Sequence, residues 1–246
     1  MLVETGSCER AAHVCRHRRS ENGCADCKVR LISVCSVLAL TELEELEALS
    51  HHLTLGKGQT LFRQGEPANS VFNVIEGTLR LTRLLPDGRR QVMGFALPGD
   101  FLGLALQEHY SVSAEALDPV RTCRFERQDF ATVVEAKPHL LKSLYERAGH
   151  ELTLAQDQLL LLGRRTAEEK VAAFLLSLRA RFARIGHNSV TVELPMGRQG
   201  MADHLGMTME TASRMMSRLD RAHIILLVPG GVRLLDLDRL ERLAAS

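Results

Sequence analysis

Arg198-Gln199-Gly200-Met201-Ala202-Asp203-His204-Leu205-Gly206-Met207-Thr208-Met209-Glu210-Thr211-Ala212-Ser213-Arg214-Met215-Met216-Ser217-Arg218-Leu219 is the stretch that decides the fold. Gly206 stands where a turn between two helices needs a positive φ. Ala202, Leu205, Ala212, Met215 and Leu219 are the apolar positions that pack two helices at a steep angle. Thr208 is a good N-cap for the second helix. The pattern is a helix-turn-helix, whose second helix enters a DNA major groove. With the cap at Thr208, Glu210, Ser213 and Arg214 fall in the first two turns, which face base edges. Arg214 suits bidentate contact to guanine O6 and N7, Glu210 accepts from cytosine N4 or adenine N6, and Ser213 takes either role. Arg198, Thr208, Thr211 and Arg218 suit phosphate contacts, which position a protein without specifying sequence. Glu210 and Arg214 also stand at i and i+4, the spacing of an exposed ion pair. Residues 164–225 hold ten Lys and Arg against six Asp and Glu, a local basic patch on a chain of net charge +1.

The flanks agree. The stretch SVTVELP alternates with period 2 and reads as a strand. IILLV, then Pro229, Gly230 and Gly231, then VRLLD read as a hairpin, so the C-terminal part is a winged helix. Thr166-Ala167-Glu168-Glu169 is a capping box that opens a helix carrying Ala172, Leu175, Leu176 and Leu178. Upstream, Pro138 suits the first position of a long helix. Leu141, Tyr145, Ala148, Leu152, Ala155, Leu159 and Leu162 follow at alternating spacings of 4 and 3, a heptad seam. Small Ala148 and Ala155 and the polar flanks point to self-association, and packing on a neighbouring domain is the alternative. Gly163-Arg164-Arg165 is expected to break the helix.

From about Leu53 to Phe130 short apolar segments alternate with turn signals at Gly56, Gly58, Gly65, Pro67, Gly77, Pro86, Gly88, Pro98 and Gly99. That texture predicts a compact antiparallel β-roll of jelly-roll type. Thr41 and Glu44 are expected to cap a short helix bearing Leu43, Leu46 and Leu49. Residues 1–35 hold Cys8, Cys15, Cys24, Cys27 and Cys35 and show no helical or strand period.

The chain has 246 residues, no Trp and 4% aromatics, which excludes a base-stacking single-strand binder. No apolar run approaches the ~18–20 residues of a membrane span, and the N-terminus has no signal-type apolar stretch. The expected location is the cytoplasm, where thiols stay reduced and metal binding or redox sensing outranks disulfides. No Ser-His-Asp arrangement, P-loop or dinucleotide fingerprint is present, so the chain is not expected to be an enzyme.

These motifs resemble the CRP/FNR superfamily along nearly the whole chain. GQTLFRQGEPANSVFNVIEGTLRL and PGDFLG resemble its β-roll, AEEKVAAFL the start of its DNA-binding domain, and Glu210-Thr211-Ala212-Ser213-Arg214 the FNR-type E-x-x-S-R reader. The resemblance implies a homodimer on a palindromic double-stranded site of the TTGATNNNNATCAA type. Cyclic-nucleotide-binding members carry a Glu after F-x-G and an Arg-Ser pair further on. This chain reads Phe101-Leu102-Gly103-Leu104-Ala105 and Ser111-Val112-Ser113-Ala114, and a buried phosphate without a cation is costly, so no cyclic nucleotide is expected. Cys24-x2-Cys27-x7-Cys35 resembles the ligand spacing of FnrN- and FnrL-like members, and Cys123 occupies the place of the family's fourth ligand. The resemblance implies a [4Fe–4S] cluster and oxygen sensing. A structural zinc ion suits the same four thiols, Cys123 alone reads as a small buried strand residue, and a regulator of the same fold sensing redox or nitric oxide through cysteine oxidation or haem is the alternative. Cys8 and Cys15 have no assigned role. Family members under strong oxygen control can carry an acidic seam residue. Here the seam has Ala155, with Asp157 off it, so dimers are expected to depend less on the cluster. The turn Leu85–Arg90 lies where the family contacts RNA polymerase. The expected α+β architecture is a cysteine-rich cluster-binding segment at 1–35, a β-roll sensor domain at 36–135, a dimerisation helix at 136–163 and a winged helix-turn-helix domain at 164–246.

Overall fold

The computed structural model describes residues 23–104, 108–186 and 189–245. Cys8, Cys15 and Ala105 lie outside the described residues.

Three short 3-10 turns, Cys24–Asp26, Arg30–Ile32 and Val34–Val37, lead into α1 (Leu40–Ala48). Then come β1 (His51–Leu55), β2 (Thr60–Phe62), β3 (Ser70–Glu76), β4 (Leu79–Leu84), β5 (Arg90–Ala96), β6 (Phe101–Leu102), β7 (Ser113–Ala116) and β8 (Val120–Glu126). They form two antiparallel four-stranded sheets, ordered β1-β8-β3-β6 and β2-β7-β4-β5, the β-roll expected from the turn punctuation. β3 is buried on both faces from Ser70 to Ile75, because one face meets the opposite sheet and the other the cysteine segment and helices. At Gly77 (φ +81) a Cβ would collide with the Pro119 carbonyl, so the turn after β3 admits only glycine without rearrangement.

α2 (Arg127–Ala136) follows the roll, then α3 (Pro138–Arg164), 27 residues long with Pro138 in its first turn. The helix continues through Gly163 to Arg164 and stops at Arg165, so the glycine does not end it. α4 (Ala167–Arg184) starts at the Thr166 cap, with the reciprocal Glu169 carboxylate on the Thr166 N–H at 3.0 Å. β9 (Thr191–Glu193), α5 (Gly197–Leu205), α6 (Met209–Arg221), β10 (Ile225–Val228), β11 (Gly231–Leu234) and α7 (Leu237–Ala245) complete the chain. Strands β10-β11-β9 form the wing sheet.

Three elements differ from the sequence expectation. α1 begins two residues early: its cap is Ala39, whose N–H is accepted by Glu42 at 2.9 Å, in place of the Thr41/Glu44 box. Leu43 and Leu46 are buried in this helix, and the Glu42 carboxylate on the Ala39 N–H serves where no hydroxyl cap is present. α2 and α7 carried no terminal signal strong enough to announce them; α2 buries Phe130 and α7 buries Leu240.

One apolar core runs across the roll and the C-terminal part. Val92, Phe95 and Leu97 of the roll share it with Phe174, Leu175, Met201 and Leu205. The DNA-reading part is therefore packed directly on strand β5.

Candidate DNA-reading face and thiol cavity

α5 and α6 meet at Gly206, which takes φ 62 and ψ 42, the left-handed conformation expected there. Thr208 Oγ1 accepts from the Thr211 N–H at 3.2 Å and caps α6. Ala212, Met216 and Leu219 form the buried stripe of α6, against Met201, Ala202 and Leu205 of α5. Met215 is only partly buried, and Met216 takes the central place expected of it. Glu210 and Arg214 are exposed on the opposite side and Ser213 is half-exposed beside them. Arg214 donates to Thr211 Oγ1 at 3.3 Å. The Glu210 carboxyl is held below its ordinary range, first by its own main-chain N–H, then by the Thr208 hydroxyl and Arg214. Arg198 is half-buried in the first turn of α5. Arg218, read from sequence as a phosphate contact, pairs with Glu168 of α4 at 3.4 Å while remaining 62% exposed.

His204 was missed by sequence reasoning, because nothing local marks a histidine at a helix end as an interdomain contact. Its ring packs on Phe95 of β5 and Phe174 of α4, with centroids 5.4 and 5.6 Å away. Its Nδ1 lies 3.4 Å from the Val92 carbonyl, and Gln91 donates to the Asp203 carbonyl at 2.9 Å. Burial lowers the imidazole pKa to about 4, with Arg181 adding to the effect and the Val92 carbonyl opposing it. The ring is thus neutral near pH 7.

α3 divides its faces. Leu140, Ser143 and Leu144 are buried on the roll side. The heptad residues lie apart from them: Leu141 is 54% exposed, Tyr145 79%, Leu152 61% and Leu159 72%, with Ala148, Ala155 and Leu162 also exposed. The face read as packing on the roll is separate from the heptad stripe, which is left exposed along the helix.

Cys24, Cys27, Cys35 and Cys123 are free thiols brought together between the N-terminal turns and the β1-β8-β3 sheet. A cavity of about 80 Å3 is lined by Cys24, Cys27, Cys123, His52, Ile75 and Arg121. Cys35 sits behind that wall, buried, and near enough for its charge to act on Cys24 and Cys123. Burial pushes the Cys24 thiol up to about 12, with Cys35, Glu47 and Cys27 adding to it. Burial likewise raises Cys35 and Cys123. A single four-coordinate ion with bonds of about 2.3 Å needs its sulfurs nearly touching. Among the described residues no three Cys, His, Asp or Glu side chains are grouped to hold a metal ion. Cys24, Cys27 and Cys123 at the cavity wall, with Cys35 close by, are the thiols that could ligate a metal group there.

Two family descriptions match the chain: a cyclic nucleotide-binding domain over residues 52–137 and a Crp-like helix-turn-helix domain over residues 169–243. The chain is 50% identical over 232 residues to the transcriptional activatory protein AadR of Rhodopseudomonas palustris, covering 94% of this chain and 96% of that one. It belongs to the CRP/FNR superfamily of transcription regulators. The nitrogen fixation regulation protein FixK of Bradyrhizobium diazoefficiens is 47% identical over 223 residues, 91% of this chain and 94% of that one. Among solved structures, FixK2 from Bradyrhizobium japonicum superposes with a TM-score of 0.75 at 33% identity, covering 80% of this chain and 98% of that one. This CRP/FNR member is therefore a DNA-binding regulator, not an enzyme, and its roll, long helix and winged helix-turn-helix are those of the superfamily. No helix among the described residues is long and apolar enough to cross a membrane.

Proposed function

We propose that this chain is an oxygen-sensing transcriptional activator in which Cys24, Cys27, Cys35 and Cys123 hold a [4Fe–4S] cluster. The observation that carries the reading is the gathering of four free thiols, three from one short segment and one from β8, with Cys24, Cys27 and Cys123 lining one cavity and Cys35 buried close by. When bound, such a cluster supplies an oxygen-labile cross-link between the N-terminal segment and the roll.

The chain's own residues relay the state of that segment. The Cys24 N–H donates to Glu47 at 2.9 Å, and Lys28 pairs with Glu76 at 2.8 Å, so the segment is strapped to α1 and β3. Arg147 of α3 donates to the Ile32 carbonyl at 2.9 Å. The segment thereby touches the helix that carries the seam. A second copy pairing along Leu141, Tyr145, Ala148, Leu152, Ala155, Leu159 and Leu162 sets two α6 helices about one DNA turn apart, on a palindromic site. Glu210, Ser213 and Arg214 read bases, while Arg198, Thr208, Thr211 and Arg218 hold phosphates. Arg218 exchanges Glu168 for phosphate on binding.

The roll is assigned no cyclic nucleotide. Phe62 and Tyr110 stack at 4.1 Å with Phe72 beside them and Ala114 in the same cluster, which supports an interior filled by side chains. The basic turn at Leu85–Arg90, flanked by exposed Leu84 and Met93, is assigned to RNA polymerase. The cytoplasm is the proposed location.

The test is anaerobic quantification of iron and acid-labile sulfide, with DNA binding followed as air is admitted. Iron and sulfide in equal amounts, and DNA affinity that falls in air, support the reading. A colourless protein containing zinc, or DNA binding indifferent to air, overturns the oxygen switch.

A further inference from the structure

Cys123 lies in the middle of the β1-β8-β3 sheet, opposite His52 on one side and Asn73 on the other. Side chains directly opposite in an antiparallel pair share a face, with Cβ atoms about 4.5–5.5 Å apart. Asn73 alternates along β3 with Val71 and Ile75, which pack in the same apolar cluster as Cys24, Cys35 and Cys123. Its side chain therefore lies on the Cys123 face of the sheet, behind the residues that line the cavity. His52, across from it, is exposed at the cavity wall. Asn73 is 2% exposed, and its Oδ1 has no hydrogen-bond partner among the described residues.

An amide in that position is an expense in the metal-free chain. A buried polar group without a partner destabilises, and Val71, Ile75 and Phe125 show that the face is otherwise apolar. The chemistry of the neighbour explains the amide. A neutral thiol is a weak acceptor, whereas a metal-bound thiolate is a charged one. Rotation about χ2 exchanges Oδ1 for Nδ2, so the same side chain offers an N–H where it offered an oxygen.

We infer that Asn73 is a positioning residue for the metal-loaded state, its Nδ2 donating to the Cys123 sulfur once that sulfur is a thiolate. The inference rests on the cluster reading above and deepens it. A hydrogen bond to a ligating sulfur stabilises the more negative, reduced state of the group it holds, and is one of the levers by which a protein sets reduction potential. Asn73 would then slow oxidative loss of the cluster in air.

The experiment compares the wild-type full chain with Asn73→Leu, each reconstituted anaerobically with ferrous iron and sulfide. Expected are equal iron and sulfide contents, a lower reduction midpoint in the variant, and loss of the cluster absorbance in air on the order of tenfold faster, the equivalent of one charge-assisted hydrogen bond. The metal-free variant should melt at the same temperature as wild type or higher, because the buried Oδ1 has no hydrogen-bond partner there. Equal midpoints and equal lifetimes overturn the assignment while the cluster reading stands. A metal-free variant that melts lower makes Asn73 a packing residue and also overturns it. Failure of the wild type to take up iron and sulfide overturns the cluster reading, and this assignment with it.

Discussion

The side-chain amide of Gln158 donates to the main-chain carbonyl of His204 at 3.1 Å. Gln158 precedes the seam residue Leu159, and His204 lies at the end of α5, just before the turn at Gly206. Leu162, the last seam residue, packs beside that turn: a Cβ on Gly206 would meet its Cδ2 at 3.3 Å. The C-terminal end of the dimerisation helix therefore rests on the helix-turn-helix itself. Under the proposed pairing of two copies along α3, these contacts within each chain would fix where the reading helices stand.

Gln158→Ala removes this link. A partly buried hydrogen bond is worth about 0.5–1.5 kcal/mol, so DNA affinity should fall by up to about tenfold. Sedimentation should show the dimer unchanged, since the amide lies beside the seam and not in it. Loss of the dimer together with DNA binding would show that Gln158 acts in the seam.

The seam itself makes a sharper prediction. Leu152→Asp places two carboxylates face to face at the seam, and should give a monomer by sedimentation and no specific DNA binding. With Ala155 in place of an acidic residue, the cluster-free wild type should still sediment largely as a dimer at micromolar concentration. A fully monomeric cluster-free protein would make the cluster, not the seam, the source of the dimer.

Base readers and phosphate contacts should separate in titrations against salt. Arg214→Ala should cost about 1–3 kcal/mol on the cognate site and relax preference for its base. Arg218→Ala should weaken all sequences alike and reduce the salt slope by about 1. Its pairing with Glu168 adds a second expectation: Glu168→Gln frees Arg218 and should tighten DNA binding at low salt.

His204 predicts a pH dependence. Its folded pKa is depressed to about 4, below the ordinary value of 6.5, because protonation would charge a ring packed between Phe95 and Phe174. The unfolded chain takes up the proton first, so stability is full above pH 6.5 and declines as pH falls toward 4. The contribution amounts to about 3 kcal/mol at most. His204→Gln should flatten stability between those two pH values in denaturant titrations. An unchanged pH profile would place the ring in a wetter setting than the packing indicates.

The helix-turn-helix, the wing hairpin, the β-roll and the long helix with its heptad stripe were all legible in the sequence. Each depends on local rules: a left-handed glycine, a hydroxyl cap, turn residues, and apolar spacing of 3.5 or 2. The α1 boundary was not, because Leu43 and Leu46 are buried equally well with Ala39 or Thr41 at the cap, and packing chose between them. Cys24, Cys27 and Cys35 stood out by spacing, and Cys123 only by resemblance, since 88 residues separate it from Cys35 and only the β1-β8-β3 sheet brings it beneath them.

By itself, then, the sequence determined the elements and the residues each displays: Glu210, Ser213 and Arg214 on the second helix of the helix-turn-helix, an apolar heptad stripe from Leu141 to Leu162, and a set of thiols. Only the tertiary structure decided how they are joined. The contacts of Arg147 with Ile32, Gln158 with His204, His204 with Phe95, and Asn73 beside Cys123 all link residues far apart in the chain. No local pattern encodes such pairings, because they arise when packing of the buried clusters presses separately formed surfaces together.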